Sequence, residues 1–373
     1  MTRSVEILER LIGFESISAE SNLPLIEYVE EILRPVGFEL HRITSRNGKK
    51  AGLFAVLGSG SGGVMFSGHT DVVPVEGQAW SSDPFKLRKE GERLYGRGTA
   101  DMKGYLASML AAAEGASKSS LRTPFKLALS YDEEIGCVGI AEMLPHLEGT
   151  IGLPDLCLVG EPTSMRLALG HKGKIGMRAT CRGEAGHSAF APRLRNALHP
   201  AVELIMQLRH IQEELANNGA QDSAYGVPYS TLHAGKLSGG VALNVVPDVA
   251  VMDFELRYLA QDDEKAICDS IRDAADKIGK GHIELEEFCS YPGLDTASAS
   301  PAASFVRELL PNAETTKVDF GSEAGYFDKL GISTLVCGPG SMEQGHKPDE
   351  FVTLEQMSLC DSMFAAALRK MCE

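Results

Sequence analysis

Tryptophan is nearly missing: Trp80 is the only one in 373 residues. Basic charge is scarce too, with 36 Lys and Arg against 51 Asp and Glu, a formal net charge of −15. Such a chain repels a phosphate backbone, so nucleic acid is not an expected partner. Apolar runs stop short of the roughly 18 residues that cross a bilayer, so no membrane is expected either. The eight cysteines include no CxxC or CxxxC pair. That spacing excludes a zinc finger and a disulfide framework, and it fits a reducing cytoplasm. The first ten residues lack the basic start and apolar core of a secretory signal.

What is present is an ordinary globular composition, 43% hydrophobic and 23% charged, at a length that suits two domains. Amphipathic helices are expected at 5–12 and 23–36; Asn22 and Pro24 mark the second start, and Pro35 and Gly37 its stop. Buried-type strands are expected at 51–57, 64–66, 125–130, 156–159 and 332–337, with an Ala-rich helix at 104–116. This alternation predicts an α/β domain with a mixed sheet covered by helices. The middle of the chain has another rhythm. Strands at 174–182, 229–237, 248–257 and 282–288 alternate with helices at 196–214 and 262–278. That order is the split βαβ, ferredoxin-like pattern. An inserted α+β domain is therefore placed at 173–287, interrupting a discontinuous domain made of 1–172 and 288–373.

Acids and imidazoles recur just after the strand-like runs. Ser67-Gly68-His69-Thr70-Asp71 follows the first. A His two residues from an Asp can ligate a metal while the Asp orients its ring. Asp101 lies in a Gly-rich loop before a helix, where a carboxylate can cap the helix or bridge two cations about 3.5–4 Å apart. Asp132-Glu133-Glu134 follows another strand. Three adjacent acids repel unless solvent or cations compensate, and one can accept a proton from water. Glu161 follows 156–159, and His346 lies in the loop after the last strand. Each segment alone also reads as an ordinary polar turn. Jointly they place oxygen and imidazole donors at one sheet edge, where ligand sites of open α/β sheets gather. The conjunction points to a two-metal hydrolase.

The segments 67–74, 96–104, 132–136, 160–163, 186–189 and 338–351 resemble those of the aminoacylase/carboxypeptidase family of two-zinc amidohydrolases, over nearly the whole chain. Trp80-Ser81-Ser82-Asp83-Pro84-Phe85, His171-Lys172-Gly173-Lys174 and 338–350 resemble its acetylornithine deacetylase branch. The resemblance implies that His69 and Glu161 ligate one metal and Glu134 and His346 the other. It further implies that Asp101 bridges, Asp71 orients His69, and Glu133 is the general base. A cis peptide is implied at Asp101–Met102. The inserted domain is implied to act as a lid and to form a homodimer, with His187 in Gly186-His187-Ser188-Ala189 supplying an oxyanion donor. Ser322 stands where relatives often have Thr.

The expected substrate is a small N-acyl amino acid, N-acetyl-L-ornithine in arginine synthesis, cleaved to ornithine and acetate. Arg257 is expected to bind its carboxylate, or else to serve as a surface salt-bridge partner; the resemblance implies Asn244 as a second polar contact, and Gly321 and Ser322 are expected to shape the pocket. A succinyl-diaminopimelate desuccinylase, a general N-acyl amino acid hydrolase, an exopeptidase, and a non-catalytic metal- or amino-acid-binding protein are the alternatives. Zinc is the expected metal, with cobalt or manganese able to substitute.

Overall fold

Three six- or four-residue runs are buried at every position: Val64–His69, Phe125–Ser130 and Leu156–Val159. Strands apolar on both faces belong inside a sheet that helices cover on both sides. The computed structural model, which describes residues 2–116 and 120–373, places them there. The order across the large mixed sheet is Glu39–Thr44, Ala51–Leu57, Phe125–Ser130, Val64–His69, Leu156–Val159, Ser333–Val336 and Leu167–His171. Thr315–Val318 pairs with the last of these. The four strands from Phe125–Ser130 to Ser333–Val336 run parallel, so their carboxyl ends share one edge. The outer pairings are antiparallel.

The helix Lys103–Ala116 is buried over most of its surface. Its alanines leave room for Arg3–Ile12, Leu23–Leu33 and Leu354–Met371 to pack around it. One apolar core joins these helices to the sheet, with Phe66 stacked near both Phe125 and Phe364.

The chain forms two compact units. The first runs up to Gly170 and resumes with Thr296–Val318 and Ser322–Glu373; the second is His171–Asp295 with Asp319–Gly321. In the second unit, four antiparallel strands lie in the order Thr231–Gly239, Val249–Tyr258, Gly173–Arg182, Ile283–Tyr291. That is the ferredoxin-like order. The alternation Ala250, Met252, Phe254, Leu256 turns one face inward, opposite Ile175, Met177, Ala179 and Cys181 on the neighbouring strand. Helices Leu198–Asn218 and Glu264–Gly279 pack together and close this second core.

Several element ends differ from the sequence expectation. The helix expected at 23–36 is α-helical only over Leu23–Leu33 and finishes as a 3-10 turn, Arg34–Val36. Pro35 cannot donate the next helical hydrogen bond, and Gly37 turns left-handed at φ 98°. The strand expected at 64–66 continues to His69, because Ser67, Gly68 and His69 stay paired with Ala128, Leu129 and Ser130. A small sheet of Arg88–Glu90, Arg93–Tyr95 and Phe351–Thr353 was not anticipated. All eight cysteines are free thiols. Among the described residues, no helix is long and apolar enough to cross a membrane.

Candidate metal centre

The parallel edge delivers three of the segments directly. His69 is the last residue of its strand, Asp132-Glu133-Glu134 follows Phe125–Ser130, and Glu161 follows Leu156–Val159. His346 arrives on the loop after Ser333–Val336, with a left-handed φ of 63°. Asp101 takes another route. It comes from the Gly-rich loop between the small sheet and the helix Lys103–Ala116, and the Asp101–Met102 peptide is cis. Gly98 in that loop has φ +84°, and a Cβ there would meet Val72 Cγ1 at 2.7 Å.

Two groups of donors result, sharing Asp101. His69, Asp101 and Glu161 form one; Asp101, Glu134 and His346 form the other, each with one ligand atom per residue within 4.8 Å of the rest. The two Asp101 oxygens divide between them. Oδ1 lies 3.1 Å from His69 Nε2, and Oδ2 lies 3.3 Å from His346 Nε2. Glu161 Oε2 is 3.9 Å from His69 Nε2, and Glu134 Oε2 is 2.9 Å from His346 Nε2.

Asp71 holds several of these together. His69 Nδ1 lies 2.9 Å from the Asp71 carbonyl oxygen and 3.4 Å from Oδ1. Its carboxylate also accepts from the backbone N–H of Glu133 at 3.1 Å and of Glu134 at 3.4 Å, and from Ser18 Oγ at 2.7 Å. The Cys137 thiol donates to Glu133 Oε1 over 3.3 Å.

The electrostatics show a carboxylate cluster short of positive charge. Burial pushes Glu133 and Glu161 well above the usual carboxylate range, and neighbouring acids add to it. Glu134 is raised to about 7 by burial and then by Asp101. Hydrogen bonds to Asp101 and Glu134 lift His346 to about 10. Burial pulls His69 down, but hydrogen bonds to Asp101 and Asp71 outweigh it and hold it well above the ordinary value. Glu134 Oε1 and Glu161 Oε1 are buried with no hydrogen-bond partner. A buried carboxylate oxygen without a donor is costly unless a cation meets it. The donor set, two imidazoles and three carboxylates, suits zinc, cobalt or manganese. The residues present therefore fit a pair of divalent ions.

The remaining candidates divide between the two units. Ser322 belongs to the first unit, buried, its Oγ accepting from Ala324 N–H at 3.2 Å. His187, Asn244, Arg257 and Gly321 belong to the second unit. There His187 pairs with Val245, and Ser188 N–H donates to the carbonyl of Asn244, the turn residue just before Val245, at 3.0 Å. Arg257 donates to Glu255 Oε1 at 3.1 Å and to Tyr291 Oη at 2.9 Å. A Cβ on Gly321 would strike the Tyr291 ring at 2.0 Å. Trp80 packs under the guanidinium of Arg97, 5.0 Å away.

Buried charges beside the centre went unrecognised in the sequence. Glu323 is raised to about 7 by burial while it accepts from Ser130 and Ser67. Lys103, fully buried and lowered to about 7, donates to the Phe14 carbonyl at 2.8 Å. Lys50 pairs with Asp132, and Arg97 with Glu350. The signal available was charge flanked by Gly and apolar residues, which has the same look on a surface loop.

A model of peptidase family M20/M25/M40 matches residues 65–370. Acetylornithine deacetylase of Pasteurella multocida is 32% identical over 362 residues, covering 95% of this chain and 92% of that protein. The enzyme of the same name from Aliivibrio salmonicida is 30% identical, covering 98% of each. Among solved structures, an M20 family metallo-carboxypeptidase from Sulfolobus solfataricus has a TM-score of 0.81 at 20% identity, with 100% of both chains covered. A dinuclear metal binding peptidase of the M20 family from Bacillus subtilis has a TM-score of 0.70 at 15% identity, covering 98% of this chain and 96% of that one.

Proposed function

Because the chain belongs to peptidase family M20/M25/M40, we propose that this two-metal amidohydrolase cleaves N-acetyl-L-ornithine to ornithine and acetate. The observation that carries the reading is the shared Asp101 between two donor groups, with Glu133 beside them outside both. The relatives named acetylornithine deacetylase, at about 30% identity over nearly full length, support the choice of acyl group and amino acid.

In this reading His69 and Glu161 would hold one ion, Glu134 and His346 the other, and Asp101 would serve both. When bound, the cations would polarise the amide carbonyl and raise the acidity of a nearby water. Glu133 does the proton work. Burial already makes its carboxylate a better base than an exposed glutamate. It takes a proton from the water as the water oxygen bonds to the carbonyl carbon. It returns that proton to the nitrogen as the carbon–nitrogen bond breaks. Asp71 fixes the His69 ring and the backbone of Glu133 together, so base and ligand keep a common register. His187 supplies a donor to the developing oxyanion from the second unit, which also serves as lid and as the surface of a homodimer. Arg257 receives the substrate carboxylate, Asn244 adds a polar contact, and Gly321 and Ser322 shape the pocket.

A turnover panel on metal-loaded protein tests the substrate. N-acetylornithine should be cleaved fastest, ahead of succinyl-diaminopimelate, N-acetylmethionine and a dipeptide. Preference for any of the other three rejects the acetylornithine assignment. Replacing Glu133 by Ala should lower kcat by about 10²–10⁴-fold, the scale of general-base catalysis, with two cations still bound. An unaltered kcat rules out the assigned base.

A further inference from the structure

The carboxylate of Glu350 is 1% exposed and accepts four donors. Oε1 takes the backbone N–H groups of Ala100 at 2.8 Å and Asp101 at 3.0 Å. Oε2 takes Gly98 N–H at 3.0 Å and Arg97 Nη1 at 2.7 Å. Three backbone N–H groups between Gly98 and Asp101 are thus pinned by one side chain, and Asp101 is the last residue pinned. The same side chain rides on the loop that carries His346, four residues earlier. A second tie runs back the other way. Arg97 Nη2 donates to Gln78 Oε1 at 2.5 Å, and Gln78 Nε2 donates to the His346 carbonyl at 2.9 Å. Arg97 also reaches the Lys347 carbonyl at 3.3 Å.

The loop bearing Asp101 does not come from the parallel sheet edge; it runs from the small sheet into the helix Lys103–Ala116, whose first N–H donates to the Gly98 carbonyl at 2.7 Å. Gly96 and Gly98 both have positive φ and give it no stiffness of their own. Beyond those end ties, the side-chain hydrogen bonds from Glu350 and Gln78 join this loop directly to the one that carries His346. We propose that Glu350 is a positioning residue for the metal centre: through Ala100, Asp101 and the Arg97–Gln78 link, it sets the separation of Asp101 and His346. The inference rests on the reading of Asp101 and His346 as cation ligands. Its chemistry is specific to a glutamate. Four donors converge on two oxygens, so an amide at this position would aim an NH₂ group at N–H groups and leave two donors unmet.

The test compares Glu350→Gln and Gln78→Ala with the natural protein. Divalent cation affinity is read by calorimetry with zinc or cobalt after chelation, and kcat and KM are read on the loaded enzyme. Glu350→Gln should bind cations about 10–100-fold more weakly, the scale for residues that orient metal ligands, and should lower kcat with KM within about twofold. Gln78 is half-buried and holds no part of the core, so its alanine variant folds whatever becomes of Glu350→Gln. It should weaken cation binding in the same direction, by about threefold or more. Cation affinity unchanged in Gln78→Ala, or unchanged in a folded Glu350→Gln whose melting temperature alone has dropped, overturns the positioning role. Natural protein that binds no cation overturns the metal reading itself, and the proposal with it.

Discussion

At the scale of single residues, the centre differs from the rest of the protein in how burial and charge are combined. Elsewhere a buried ionisable group is either paired, as Arg97 is with Glu350, or held neutral. His171 is the clear case: burial lowers its pKa to about 4, against a hydrogen bond to the Lys172 carbonyl, and its Nε2 has no partner. Its unfolded value is near 6.5, so the unfolded chain binds more protons between those two values. Stability from a neutral His171 is therefore complete above about pH 6.5 and is lost as pH falls toward 4, on the order of 3 kcal/mol in all. His171→Gln should show a shallower fall in urea midpoint over that interval than the natural chain. Parallel curves would show that His171 titrates the same in both states. His69, Asp101, Glu134 and Glu161 were visible in the sequence because each carries a metal-type donor just outside apolar residues. Glu350, Glu323 and Lys103 were not, because nothing local distinguishes a buried charge from a solvated one. Their partners lie far along the chain, as Glu350 shows by pinning residues about 250 positions earlier.

At the scale of elements, the strand ends are what gather the donors, and their closeness depends on small residues. Gly338 follows the Ser333–Val336 strand, and a Cβ there would lie 2.1 Å from the Gly160 carbonyl oxygen and 2.7 Å from that of Glu161. Gly338→Ala must push one strand end off the other. It should cost about 1–3 kcal/mol of stability, the usual range for overpacking, and displace Glu161 from its group. An unchanged denaturation midpoint would mean that the ends have slack. The central strands were legible because a run apolar on both faces has few other places to go. The second unit was legible through strict alternation, as in Ala250 to Leu256. The helix Leu354–Met371 was not anticipated, although its buried Met357, Cys360, Phe364, Ala367 and Met371 recur at helical spacing. The small sheet of Arg88–Glu90, Arg93–Tyr95 and Phe351–Thr353 escapes such reading, because three-residue strands carry too little pattern.

At the scale of the whole molecule, the acid excess is partly concentrated at one sheet edge, where burial opposes its charge. Ions bound there stabilise the folded state by mass action, about 2.7 kcal/mol per site at a hundredfold excess over Kd. Stripping them with a chelator should lower the melting temperature by roughly 5 °C or more, and adding zinc back should restore it. A melting curve indifferent to chelation would argue that the imidazoles alone balance the carboxylates. The order of the chain adds a further consequence. Ser333–Val336 fits between Leu156–Val159 and Leu167–His171, strands made some 160 residues sooner. During synthesis on the ribosome, the first unit therefore waits with a slot open in its sheet while the second emerges and can fold in the interval. A nascent chain cut short before residue 333 would expose that slot's unpaired edges, a natural mark for chaperones, and would lack His346 altogether.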